Sequence, residues 1–185
     1  MFSAASFENA KLLAGRMDIK QRLQLAIARA RLRKKSLALL FIDLDRFNTI
    51  TATLGPEIGQ QLLDTISQRL GLALDGDHLL MHLGSDEYAV LGEGIDNASQ
   101  LRQLGNRLLN VIRKPVFIRN QELMATASIG ISVYPNKADN EQILLHQALT
   151  ALQGAKEVGG DSIKFYTRSG AKSASLRTLN IEVEL

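Results

Sequence analysis

Between residues 17 and 34 the apolar side chains fall at Ile19, Leu23, Ile27 and Ala30, a three-to-four spacing that predicts an amphipathic helix. "SLALLFID" (36–43) is a short continuous apolar run ending in a carboxylate, the pattern of a strand buried on both faces. Pro56 suits a first helical turn, and Ile58, Leu62, Ile66 and Leu70 form one stripe behind it. "HLLMHL" and "EYAVL" flank Gly84-Ser85 and predict a β-hairpin. Leu101, Leu104, Leu108 and Val111 mark another helix, capped near Asp96 or Asn97. A hairpin punctuated at Asn120-Gln121 should join "VFI" to the long run "LMATASIGISVY". Ile143, Leu144, Ala148, Ala151, Leu152 and Ala155 then face inward from a helix over 141–156, Gly159-Gly160 stops it, and "SIKFY" is a last strand.

The order αβααββαββαβ mixes hairpins with crossovers. It favours an α/β sandwich on a mixed sheet over a doubly wound parallel one. A chain of 185 residues holds one full core and is short for two. We expect a lead-in segment over 1–16, one domain over 17–167, and a tail over 168–185 that begins rich in Ser and Gly and turns helix-like.

Composition narrows the function classes. With 45% hydrophobic and 22% charged residues the chain has an ordinary globular balance. No apolar run approaches the roughly 18 to 20 residues that cross a bilayer, and no basic leader with a long apolar stretch marks a secretory signal. The absence of cysteine excludes disulfides and thiolate metal sites, which makes the cytosol the expected compartment. The net charge of +3 is mild, and its densest run, "ARARLRKK" (28–35), reads as the solvated C-terminal end of a helix. Only 5% of residues are aromatic, so nucleic-acid binding is not expected.

The candidate chemistry lies in carboxylates. Asp43 and Asp45 in "FIDLDRF" are two apart and share a side on an extended strand. If that strand pairs with the 79–91 hairpin, Asp43 approaches Asp86 and Glu87, a hard-oxygen set suited to Mg²⁺. Spacing alone leaves the plainer alternative open, with Asp45 as a helix cap and Asp86 as a turn acid. His78, His82 and His146 show no ligand spacing, and Ser85 lacks a histidine base.

Taken in order, "LALLFIDLDRF", the "LGxxxGxxLL" pattern at 54–63, "LGSDEYAVL", "TASIGISVYP" and "AKEVGG" resemble the GGDEF domain of diguanylate cyclases over about residues 8–167. The resemblance implies an α+β, palm-like fold related to nucleotidyl cyclases, with a mixed, mainly antiparallel central sheet flanked by helices. Active members join two GTP molecules into cyclic di-GMP with Mg²⁺ or Mn²⁺, one GTP per subunit of an antiparallel pair. Carried over by position, the metal set is Asp43, the Leu44 carbonyl, Asp86 and Glu87; Asp86 and Glu87 are also the catalytic residues if the chain is active. Nucleotide contacts fall on Phe47, Asn48, Thr51, Gln60, Gly84, Ser85 and Lys156.

The departures concentrate around substrate. Thr51 and Ala52 stand where the family has Asn and Asp, and Gln60 where a second guanine-reading Asp is usual. Asn48 replaces a lysine, Ser85 the second signature glycine, His82 an arginine, Gly160 a basic residue, and Tyr88 a phenylalanine. "DGDH" (75–78) lacks the Arg-x-x-Asp inhibition site, and "AKLLAGR" (10–16) keeps little of the customary "LTGLPNR". Thr has one hydroxyl and cannot reproduce the paired donor and acceptor of Asn. A sequence that keeps its core but breaks its site implies a fold retained for another task.

The expectation is a non-catalytic regulatory GGDEF domain in cyclic di-GMP signalling, excised from a GGDEF–EAL tandem and acting on a missing C-terminal EAL-type domain. GTP binding is expected to be weak, with Mg²⁺ or Mn²⁺ bound only alongside nucleotide. Homodimerisation fits the family, and no direct membrane contact is expected in this segment, although the whole protein could be membrane-associated. Two alternatives stay open: an active diguanylate cyclase, and a nucleotide-independent dimerisation or protein-interaction platform.

Overall fold

The computed structural model describes residues 19–167 except positions 77, 96, 136 and 137. Its elements run α1 (Ile19–Arg33), β1 (Leu37–Leu44), α2 (Phe47–Leu54), α3 (Pro56–Ala73), β2 (His78–Gly84), β3 (Glu87–Glu93), α4 (Ala98–Ile112), β4 (Val116–Ile118), β5 (Gln121–Leu123), β6 (Ala127–Tyr134), α5 (Glu141–Glu157) and β7 (Ile163–Phe165). The central sheet has the order β2-β3-β1-β6-β7. Every pairing in it is antiparallel except the parallel β6–β7 edge. This is the expected α+β palm, with helices on both faces of a mainly antiparallel sheet.

All eight residues of β1 are buried, because the strand lies third of five and is covered on both sides. Strand parity divides the side chains between two cores. Leu37, Leu39 and Phe41 pack with Ala89 and Leu91 beneath α1 and α5 (Leu23, Ile27, Leu144, Leu152). Ala38, Leu40, Ile42 and Leu44 pack with Tyr88, Val90 and Ile129 beneath α3 and α4 (Leu62, Ile66, Leu101, Leu108).

Helix starts follow their chemistry. Pro56 sits in the first turn of α3. The Asn97 and Asn140 side chains accept from the Ser99 and Ile143 amides and so cap α4 and α5. Three expectations are corrected. The run after Asn120 is not one strand: β5 pairs only with β4 in a separate two-stranded sheet, and after a break β6 joins the central sheet. The turn between β4 and β5 places Arg119 and Asn120 both at positive φ, the twist that a two-residue hairpin requires. On α5, Ile143 is 38% exposed while Gln147 is buried; on α4, Ile112 is buried where Val111 is only partly so.

Gly130 in β6 sets the spacing of α5 from the sheet. A Cβ there would run into the Ala148 carbonyl and the Leu152 amide, both backbone groups that cannot step aside. We therefore expect Gly130→Ala to destabilise the domain by about 3 kcal/mol, the scale of overpacking in a closed core. Urea denaturation midpoints of the two proteins measure this.

Candidate functional site

The end of β1 gathers the acidic residues. Asp43 lies directly opposite Glu87 on β3 and Ser128 on β6. Cross-strand partners share a face, so the carboxylates of Asp43 and Glu87 project to the same side, that of α1 and α5. The Leu44 amide donates to the Asp86 carbonyl at 3.1 Å, fixing the hairpin turn against the end of β1. That turn is built from positive-φ residues, Gly84 (φ 120°) and Ser85 (φ 48°), behind an irregularity in the β2–β3 register. Ser85 is thus a non-glycine residue in the left-handed region. The His82 ring stacks on Tyr88, and its Nε2 donates to the Ser85 carbonyl at 2.8 Å.

Lys156, in the last turn of α5, places Nζ 2.8 Å from Asp43 Oδ2. Burial raises the pKa of Asp43; the Lys156 ammonium works against this, and the Asp86 and Asp45 charges reinforce it. Glu87 is also raised, first by burial and then by the neighbouring Asp43 and Asp86 charges. Among the described residues no group of three acidic or histidine side chains is gathered closely enough to hold a metal. The Asp86 charge adds to the raised proton affinity of both Asp43 and Glu87, and the ammonium of Lys156 supplies the positive charge.

Asp45 does not cap a helix. Helix α2 is preceded by Arg46 in the left-handed conformation, with no side-chain cap. The Asp45 carboxylate instead accepts from Thr126 Oγ1 (2.8 Å), Ser128 Oγ (2.7 Å) and the Asp161 amide (2.9 Å). It binds the end of β1 to the start of β6 and to the turn after α5. Gly160 (φ 78°) lies against this carboxylate, where a Cβ would press on its oxygens. Sequence reasoning missed this clamp, although a signal existed: Thr126 and Ser128 are spaced by two and can present two hydroxyls to one side, as Asp43 and Asp45 do.

The remaining nucleotide candidates lie on α2 and α3. Phe47 is buried in the core, and Asn48 is exposed in the first turn of α2. The Thr51 hydroxyl bonds the Phe47 and Asn48 carbonyls of its own helix at 3.3 and 3.0 Å. Its methyl group fills the space beside Gly59. Gln60 Nε2 donates to Asp64 Oδ1 at 2.9 Å. Tyr88 is fully buried, and its hydroxyl meets Ser67 Oγ at 3.0 Å and donates to the Leu63 carbonyl at 3.3 Å. The extra oxygen relative to phenylalanine is therefore satisfied.

With this geometry in place, comparison with known proteins is decisive. Residues 11–162 match the family model "Diguanylate cyclase, GGDEF domain". This chain belongs to the GGDEF family. It is 34% identical over 155 residues to the cyclic di-GMP phosphodiesterase NbdA of Pseudomonas aeruginosa, a match covering 84% of this chain and 20% of that protein. It is 30% identical to the bifunctional diguanylate cyclase/cyclic di-GMP phosphodiesterase MucR of the same organism, covering 91% and 24%. The solved structure of an N-terminally truncated Pseudomonas aeruginosa TpbB (YfiN) comprising only the GGDEF domain superposes with a TM-score of 0.78 at 28% identity, covering 95% of this chain and 98% of that one. The GGDEF chain thus spans only about a fifth to a quarter of the full-length relatives it matches. No helix among its described residues is long and apolar enough to cross a membrane.

Two outcomes test the corner. Asp45→Ala should lower stability by about 2–3 kcal/mol, because two hydroxyls and an amide lose a common acceptor; thermal or urea unfolding reads this directly. For Glu87, a raised carboxyl pKa means that the folded state holds the proton more tightly than the unfolded chain. Its charge therefore costs stability above the folded pKa, and that cost disappears as pH falls through it. Glu87→Gln should accordingly stabilise the ligand-free domain at pH 8, with the gain shrinking by pH 4.5; paired urea titrations at the two pH values check both sign and trend.

Proposed function

We propose that this chain is a regulatory GGDEF domain of cyclic di-GMP signalling that has lost cyclase turnover and keeps a weak GTP site. The observation that carries this reading is the state of the residues where the family reads guanine. The Thr51 hydroxyl bonds its own helix and its methyl packs beside Gly59, while the Gln60 amide bonds Asp64. The one Thr51 hydroxyl hydrogen is spent on its own helix and one Gln60 amide hydrogen on Asp64, so a base meets fewer donors here than a free amide would offer. A base edge left without its hydrogen-bond partner costs about 1–3 kcal/mol, and 1.4 kcal/mol is a tenfold change in affinity.

The carboxylate side keeps donor types that suit a divalent cation, although its side chains would have to draw closer to hold one. Asp43, Asp86, Glu87 and the Leu44 carbonyl are hard oxygen donors, and the pKa values of Asp43 and Glu87 are raised first by burial and then by neighbouring acidic charge. Mg²⁺, when bound with nucleotide, would neutralise phosphate and carboxylate charge together. It would compete with Lys156 for the Asp43 carboxylate. Lys156, once released, is placed to meet phosphate oxygens, and the positive-φ turn at Gly84-Ser85 exposes backbone beside them. In this reading Ser85 and Asn48 adjoin the triphosphate, and Phe47 anchors the start of α2.

Nucleotide occupancy regulates only if it favours one of two states of the larger protein. We propose that the partner is an EAL-type domain C-terminal to this one, reached through 168–185, a segment outside the described residues. NbdA and MucR, named as a phosphodiesterase and a bifunctional enzyme, support such a setting. The second reading, active cyclase, is favoured by the retained Asp43, Asp86 and Glu87 and by MucR.

Calorimetric titration of GTP with Mg²⁺ into this chain and into Asp86→Ala separates the readings. Binding weaker than about 0.1 mM, lost in the variant and without cyclic di-GMP in a chromatographic turnover assay, is the expected result. Product formation abolished by Asp86→Ala establishes a cyclase instead. No heat up to millimolar GTP leaves a nucleotide-independent platform.

A further inference from the structure

A second feature lies at the opposite end of β1, seven residues from Asp43 and roughly 20 Å away at the rise of an extended strand. Where α1 hands over to β1 the surface holds an open cavity of about 560 Å³. Arg31, Lys34 and Lys35 line it, against a wall that includes Ala30, Tyr134 and Pro135. Pockets for organic ligands span roughly 300–1,000 Å³, so the size suits a nucleotide-scale molecule.

The cations around it are not equivalent to their neighbours on the helix. Arg29 and Arg33 are both committed to Glu93, at 3.4 and 3.2 Å. Lys34 and Lys35 make no ion pair among the described residues. Arg31 is oriented by its Nε, which donates to the Tyr134 hydroxyl at 3.2 Å. Asp139 is the acid whose charge reaches it. Lys34 adopts φ 52°, and the Lys34 and Lys35 amides close back on the Arg31 and Ala30 carbonyls. The helix terminus explains why cations are tolerated here. It does not explain an oriented guanidinium and two unpaired ammoniums around one concavity with a largely apolar wall.

We propose that this cleft binds a small phosphorylated anion, as a site separate from the carboxylate corner. Concave placement focuses the field of the three cations, and a guanidinium whose terminal N–H groups make no hydrogen bond among the described residues matches phosphate geometry. The apolar wall would take the organic part of the ligand.

Titration of inorganic pyrophosphate, and separately of ATP, into the ¹⁵N-labelled chain without Mg²⁺ tests this. Saturable amide shifts at residues 31–36, 133 and 134 are expected. The Lys34→Asn/Lys35→Gln double variant should weaken binding about tenfold or more. Both side chains are exposed, and asparagine tolerates the left-handed conformation of residue 34, so the fold is preserved. Asp86→Ala should bind both probes as the parent does. Equal affinity in the double variant, shifts confined to 84–88, or no saturation at millimolar probe overturns the proposal. Saturation by poly-glutamate when neither phosphate compound saturates also overturns it, and assigns the cleft to an acidic protein segment.

Discussion

Strand β1 has to be covered on both faces, and most of the domain follows from that requirement. Its alternate side chains feed two cores, so helices must lie on both sides of the sheet and the strand must lie in the middle. A central strand leaves an acidic residue at its end little access to water. Asp43 therefore carries a raised pKa and faces Glu87 across the pairing, an arrangement that is unfavourable without a cation. Gly130 lets α5 approach β6 backbone to backbone near Leu152, and one turn later the same helix delivers Lys156 to Asp43. Close packing and charge compensation are thus parts of one arrangement.

The corner is held from behind. Asp45 gathers two hydroxyls and an amide from segments 81 to 116 residues away in sequence, and Gly160 leaves room for its carboxylate. Ser85 and Arg46 stand in the left-handed region on either side of the acids, a conformation that costs roughly 1–2 kcal/mol for a side-chain-bearing residue. Bonds from His82 to the Ser85 carbonyl and from the Leu44 amide to the Asp86 carbonyl offset that cost. A turn restrained in this way is held in one backbone conformation.

The α2–α3 pair has the opposite character. Its polar side chains satisfy one another locally: Thr51 its own helix, Gln60 its neighbour Asp64. The Gln60–Asp64 pair at that spacing stabilises α3 by about tenths of a kcal/mol, and the Thr51 hydroxyl spends its one hydrogen on its own helix. The two regions therefore differ: the end of β1 keeps clustered carboxylates beside one ammonium, whereas the α2–α3 surface bonds its polar groups internally.

Much of this was legible in the amino-acid sequence. Periodicity located the helices and central strands, since period and burial are local consequences of the apolar pattern, and the order of motifs pointed to the GGDEF palm. Asp43, Asp86 and Glu87 could be brought together on paper because strand parity is fixed by counting. Tyr88 stands for a phenylalanine at no polar cost because its hydroxyl needs only a partner, and Ser67 supplies it. Where long-range partners decide, counting fails. Residues 123–134 read as one run because their composition is continuous, yet Leu123 ends β5 in the two-stranded sheet and 127–134 pair in the central one. Asp45 could be taken for a cap because its true donors lie far along the chain, and Ile143 is expected inward because a periodic pattern does not show which part of a helix its neighbours cover. The sequence by itself determined the elements, their order and the chemistry available at the end of β1. Only the tertiary structure decided which acid Lys156 neutralises, what Asp45 clamps and where Thr51 directs its hydroxyl, because each choice is made between residues that meet only when the sheet and helices have packed.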